Sequence, residues 1–149
     1  MPALPPSLRF RRVFSDSSAF AALLNRDDTN HEPAVAILGT IADAHYRPVT
    51  TNVILIEAHA LLLSEMGSRV ANQFLRDIRQ SNTLIIRVRA QDEERAEQIL
   101  FRYTDKEWSF ADATSFVVME RLGIRYAFTF DADFGQYGFV VLTQGLRLP

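Results

Sequence analysis

Short apolar runs alternate with amphipathic stretches along the chain from Phe10 onward, and the periods of the two kinds of segment predict its elements. Phe10 to Ser15 reads as a strand. Asp16-Ser-Ser then opens a helix carrying Phe20, Leu23 and Leu24 at helical spacing, closed by Asn25 to Asp28. A second helix is expected over residues 33–44, because Val35, Leu38 and Ala42 share one face. Residues 47–51 read as a short extended piece, and a strongly apolar helix follows over residues 52–65. Residues 68–79 form an amphipathic helix with Val70, Phe74, Leu75 and Ile78 inward, leading to a strand over residues 83–88. Helices over residues 91–101 and 108–122, a strand over 126–130 and a last short strand over 138–142 complete the pattern. Strands alternating with helices predict an α/β fold with a mainly parallel sheet. No repeat or linker divides it, so residues 10–149 are read as one domain behind a Pro-rich leader over residues 1–9.

Composition narrows the chemistry. With 149 residues, 48% of them hydrophobic, the chain is long enough to bury its own core without staples. It has no cysteine, which excludes thiolate zinc sites, iron–sulfur clusters, a catalytic thiol and disulfides. The N-terminus lacks the pattern of a secretory signal and no apolar run reaches membrane-spanning length, so a cytoplasmic protein is expected. A net charge of −2 supplies no global pull on nucleic acid, so any such binding must use a local patch or bound cations.

Four acids stand where water should be scarce. Glu57 interrupts a helix whose neighbouring turns present Val53, Ile54, Ala60 and Leu61. An ionised carboxylate there costs several kcal/mol unless paired, protonated or bound to a cation. Asp112 lies similarly among Phe116, Val117 and Val118, although Ser109 and Asp112 also have the spacing of a helix capping box. Asp16 and Asp131 each follow the carboxyl end of a strand, where ligands gather in open α/β sheets; caps and turns use Asp at such places too. Four converging carboxylates repel one another, and a hard cation such as Mg²⁺ or Mn²⁺ resolves the conflict. The chemistry implied is metal-assisted phosphodiester hydrolysis.

The same residues resemble the PIN-domain nucleases, and most closely the VapC-type toxin ribonucleases. Val13-Phe-Ser-Asp16-Ser-Ser18 is similar to the family's strand-ending Asp with a small hydroxyl residue two positions on, and Pro48 to Glu57 to its second motif. Trp108-Ser-Phe-Ala-Asp112-Ala-Thr-Ser115 matches the third and Phe128-Thr-Phe-Asp131-Ala-Asp133 the fourth. The resemblance spans about Arg12 to Leu142. It implies a three-layer α/β/α sandwich, RNA as substrate, a homodimer and an antitoxin partner. It also implies Asp16, Glu57, Asp112 and Asp131 as catalytic ligands of Mg²⁺ or Mn²⁺, with Ser18 or Thr51 as orienting hydroxyls. Asp133 stands where many relatives carry a histidine, and either joins the cation cluster or faces solvent.

Other signals are weaker. Arg9, Arg11 and Arg12, and Arg76, Arg79, Arg87 and Arg89, are surface residues of which some can grip RNA phosphates. Asp92, Glu93 and Glu94 suit a helix N-terminus and are assigned no chemistry. His31, His45 and His59 are too scattered for a zinc motif. Phe134, Tyr137 and Phe139 belong to the core or to a subunit interface. Three rivals to a toxin ribonuclease remain: an RNA-processing nuclease of the same fold, a catalytically silent RNA-binding module, and an aspartate-based phosphotransfer protein. The last is weakened by Ser18, where such a protein wants a second Asp.

Overall fold

A computed structural model describes residues 11–149; the Pro-rich leader, Arg9 and the start of the first strand at Phe10 lie outside the described residues. In chain order the elements are β1 (Arg12–Ser15), α1 (Ser17–Leu24), α2 (His31–Asp43), β2 (Arg47–Thr51), α3 (Asn52–Met66) and α4 (Ser68–Gln80). They continue with β3 (Leu84–Ile86), α5 (Ala90–Arg102), α6 (Phe110–Leu122), β4 (Tyr126–Phe128), α7 (Asp133–Tyr137) and β5 (Val140–Val141). The sheet runs β3-β2-β1-β4-β5 with every neighbouring pair parallel.

Parallel strands need crossovers that cover both faces of the sheet, so successive strand residues are both buried. Val13 packs with Ala34, Ile37, Ile41 and Phe128 on one face, and Phe14 with Ile54, Phe74, Phe116 and Ala127 on the other. The result is the three-layer α/β/α sandwich. Strand order climbs outward from β1 in one direction and from β4 in the other, so the topology switches between these two neighbours. A crevice opens beyond their carboxyl ends.

Local chemistry sets the turns that deliver chain to this crevice. Gly123 takes a left-handed φ of 67° at the end of α6, with the N–H groups of Gly123 and Ile124 donating to Glu120 and Met119, so the chain reverses directly into β4. Thr51 caps α3 by accepting from the N–H of Ile54 (3.1 Å). It therefore serves the helix, and among the described contacts it orients no carboxylate.

Two expectations about faces are corrected. In α2 the stripe that signalled the helix, Val35, Leu38 and Ala42, faces solvent, and the packed stripe is Ala34, Ile37 and Ile41. In α3 the apolar run around Glu57 is not uniformly interior, since Ile56 and Leu63 are exposed. The strands are also shorter than their apolar runs, and the segment before β5 folds into the short helix α7.

Candidate active site

Asp16 directly follows β1, and its N–H donates to the carbonyl of Phe128 (3.0 Å), extending the β1–β4 ladder by one bond. Its position is that of an N-cap for α1, yet its side chain makes no capping bond. Instead one oxygen, Oδ2, accepts from Ser18 Oγ (3.0 Å) and Thr129 Oγ1 (2.9 Å). The other, Oδ1, is buried without a partner, in a residue only 3% exposed. A buried acceptor left empty is costly, and it points to something the site is built to receive. Burial pushes the Asp16 carboxyl above the usual carboxylate range; the hydroxyls oppose this and the charge of Glu57 adds to it.

Asp112 forms the capping box that its spacing predicts: the Ser109 N–H donates to its Oδ2 (3.1 Å), and its own N–H donates to Ser109 Oγ (3.0 Å). The structural reading is therefore correct as far as it goes. One carboxylate oxygen from each of Asp112, Asp131 and Asp133 nevertheless lies within 4.8 Å of the other two. Burial raises the Asp112 carboxyl, with the charges of Asp131 and Asp16 adding to it against the Ser109 N–H.

Asp131 is held by its backbone, its N–H donating to Thr129 Oγ1 (3.0 Å), and its Oδ1 accepts from the N–H of Asp133 (2.9 Å). That turn brings Asp133 back over the cluster at the start of α7. Burial, and next the charge of Asp131, push the Asp133 carboxyl up to about 6. Glu57 stands at the rim, half-buried, where it accepts a hydrogen bond from Ser17 Oγ beside Asp16.

Of the five acids named from the sequence, the structure brings Asp112, Asp131 and Asp133 together, with Asp16 joined to Asp131 through the Thr129 hydroxyl. Glu57 is not part of that group; it is tied to the neighbouring Ser17 and acts on Asp16 through its charge. Sequence reasoning missed Thr129, which joins Asp16 to Asp131 through one hydroxyl and lies 3.2 Å from Ser18 Oγ. The spacing Thr129-Phe-Asp131, which suits a hydroxyl accepting from the N–H two residues on, was its one local signal. Ser17 was missed as the partner of Glu57. Ser18 makes the orienting contact and also accepts from the N–H of Phe130 (3.0 Å).

Oxygen donors alone, clustered and poorly neutralised, suit a hard divalent cation. The orphaned Asp16 Oδ1 and the close oxygens of the three other aspartates fit that group.

Comparison with known proteins gives a consistent picture. The profile of the PIN domain family matches residues 13–140. The chain is 40% identical over 131 residues to the 23S rRNA-specific endonuclease VapC20 of Mycobacterium tuberculosis, in each of two strains, covering 86% of this chain and 95% of the relative. The crystal structure of M. tuberculosis VapC20, described as a sarcin-ricin loop cleaving toxin, superposes with a TM-score of 0.79 at 36% identity. That match covers 88% of this chain and 98% of the other.

Proposed function

The chain belongs to the PIN-domain family, in its VapC-type branch, and from that premise we propose that it is a divalent-metal-dependent endoribonuclease, the toxin of a toxin-antitoxin pair. Its substrate is the sarcin-ricin loop of 23S ribosomal RNA, the target named for the relative it matches over nearly that relative's whole length. The observation that carries the metal-dependent reading is the grouping of Asp112, Asp131 and Asp133 beside the unpartnered oxygen of Asp16.

Asp16, Asp112, Asp131 and Asp133 would hold Mg²⁺ or Mn²⁺, with Glu57 at the rim. When bound, such an ion makes a water nucleophilic near neutral pH and offsets the charge of an in-line phosphate displacement. The chain's own groups prepare that arrangement. Ser18 and Thr129 occupy one oxygen of Asp16, so the other is left for the cluster. The Ser109 N–H does the same for Asp112, and the turn from Asp131 to Asp133 fixes two acids relative to each other. Preorganised donors need no rearrangement when substrate arrives.

Partners follow from the family. α2 turns Val35 (50% exposed) and Leu38 (40%) outward. Beside them Pro33 and Ile37 wall a mainly apolar cavity of about 520 Å³ with Asp131 at its edge. That surface suits an antitoxin segment covering the acidic crevice, and the active species is a homodimer in the cytoplasm. Among the described residues no helix is long and apolar enough to cross a membrane.

The test is cleavage of a sarcin-ricin loop RNA by the purified protein with Mg²⁺ or Mn²⁺. Wild type should cut at one site and Asp16→Asn should not, while still unfolding cooperatively. Equal cleavage by both proteins, or cleavage undiminished in excess EDTA, would defeat the proposal. Growth arrest on induction, relieved by Asp16→Asn, distinguishes a toxin from a processing nuclease.

A further inference from the structure

A second concave surface, separate from the acidic crevice, carries chemistry that the cluster lacks. It lies on the side of α3 away from Glu57, has a volume of about 370 Å³, and is lined by Asn52, Ile56, His59, Arg79 and Arg87 among others. It contains two guanidinium groups and no carboxylate. In the hollow between α5 and α6, by contrast, the arginines are neutralised: Arg95 pairs with Glu120 (3.0 Å) and Arg121 with Asp92 (2.9 Å). Among the described residues Arg79 and Arg87 make no ion pair.

Position distinguishes this groove from the other basic hollow. Arg11, Arg12 and Arg125 line a cavity at the amino ends of β1 and β4, the end of the sheet away from the acids. Arg87 instead directly follows the carboxyl end of β3. Asn52 directly follows β2, and the Val88 N–H donates to Asn52 Oδ1 (2.8 Å), which ties the two segments together. They therefore share the end of the sheet that holds Asp16 and Asp131. β3 stands two strands from β1, roughly 10 Å at the usual strand spacing. A few nucleotides of extended RNA span that distance.

We infer that this groove is an RNA-backbone site, in which Arg79 and Arg87 hold phosphates of the strand flanking the one at the acidic crevice. The inference rests on the ribonuclease reading and names the contact that an acidic site on a chain of net charge −2 otherwise lacks. Arginine suits the role, since its fork matches phosphate oxygens and stays charged. The exposed Ile56 and the His59 ring offer adjoining surface on which a sugar or base can rest.

The experiment measures binding, not cleavage. Anisotropy of a short labelled single-stranded RNA in EDTA is followed from roughly 50 to 200 mM salt for wild type, Arg79→Gln/Arg87→Gln, and Arg125→Gln as a control. The double variant should lose about tenfold in affinity, and its slope of log K against log salt should flatten by about 1.4, two phosphate contacts' worth. Arg125→Gln should match wild type. Should the double variant melt without cooperativity, Arg87→Gln alone replaces it and should flatten the slope by about 0.7. Wild-type affinity and slope in the variant, an equal loss in the control, or no RNA binding by wild type would each overturn the inference. A groove that serves an acidic protein segment gives the first of these results. Cleavage with Mn²⁺ is scored separately: RNA bound through the groove but never cut sinks the nuclease reading alone, whereas cutting with an unchanged slope sinks the groove alone.

Discussion

Thr129→Val isolates the device that orients the acids without removing any of them. Threonine and valine have nearly the same shape, and the site is fully buried, so the change deletes an oxygen and leaves no cavity. Two hydrogen bonds go with it: the donation to Asp16 Oδ2 at 2.9 Å and the acceptance from the Asp131 N–H at 3.0 Å. A bond to a charged group contributes about 1.5–3 kcal/mol, and an orphaned buried N–H costs about 1–3 kcal/mol. Ser18 still serves Asp16 and the Asp131 N–H is only partly buried, so the sum should fall near 2–4 kcal/mol. That is less than a domain's usual total of about 5–15 kcal/mol, and the variant should fold with a melting temperature lower by about 5–15 °C. The functional effect should be larger than this. Loss of a group that orients a metal-holding carboxylate commonly costs about 10–100-fold in metal affinity or activity. Calorimetric titration of the folded variant with Mn²⁺ measures the first and RNA cleavage the second, with Thr129→Ser as the rescue because it retains the hydroxyl. A Thr129→Val protein that binds Mn²⁺ and cuts RNA like wild type, or a Thr129→Ser protein as impaired as the valine variant, would refute the orienting role.

Other consequences can be measured directly. Arg121→Met should lower stability by about 3 kcal/mol, because it strands the buried Asp92 carboxylate that Arg121 meets at 2.9 and 3.0 Å; thermal unfolding reads this, and an unchanged midpoint contradicts it. Burial pushes the Asp92 carboxyl up, but the Arg89 N–H and the Arg121 guanidinium outweigh it and hold it low. Its stabilising effect should therefore be present above pH 3.8 and vanish as pH falls through its folded value. The acidic crevice acts in the opposite sense. Asp16, Asp112 and Asp133 are raised above 3.8, so the stability they lend is complete below that value and is lost as pH rises through the Asp133 value of about 6. Protein stripped of metal should melt higher at pH 5 than at pH 7.5, and a midpoint that rises over that interval refutes the clustering. Mn²⁺ affinity should move the other way, weakening as pH drops through about 6, since protons and metal compete for the same oxygens. Val35→Asp with Leu38→Asp should abolish capture of the antitoxin in co-expression pull-downs while leaving RNA cleavage intact; undiminished capture would move that interface elsewhere.

The alternation of strands and helices was legible because parallel strands are buried on both faces and write themselves as unbroken apolar runs, as in Val13-Phe14 and Tyr126-Ala-Phe128. Asp16 and Asp131 could be singled out because they end such runs. The inward face of α2 could not be read. Val35, Leu38 and Ala42 have the same period as Ala34, Ile37 and Ile41, and only the sheet's position decides between two stripes of equal spacing. The helix α7 was hidden by its five-residue length and its central Gly135, and the end of β4 by Thr129, which looks like one more strand residue. Thr129 bonds to Asp16, 113 positions away, and Asp92 to Arg121, 29 positions away. No local period encodes either pairing. Asp92 does serve the start of α5, as its place in the first turn suggests, accepting from the Arg89 N–H (2.9 Å), but its part as the buried half of the ion pair joining α5 to α6 could not be read.

The central claim is that acids distant in sequence together hold divalent metal in one crevice. Anomalous diffraction from crystals grown with Mn²⁺ tests it most directly. Wild type should show a manganese peak bounded by the carboxylates of Asp112, Asp131 and Asp133 beside Asp16, and Asp16→Asn should weaken or lose it. A crevice without manganese at saturating Mn²⁺, or an ion bound only elsewhere on the surface, would contradict the account.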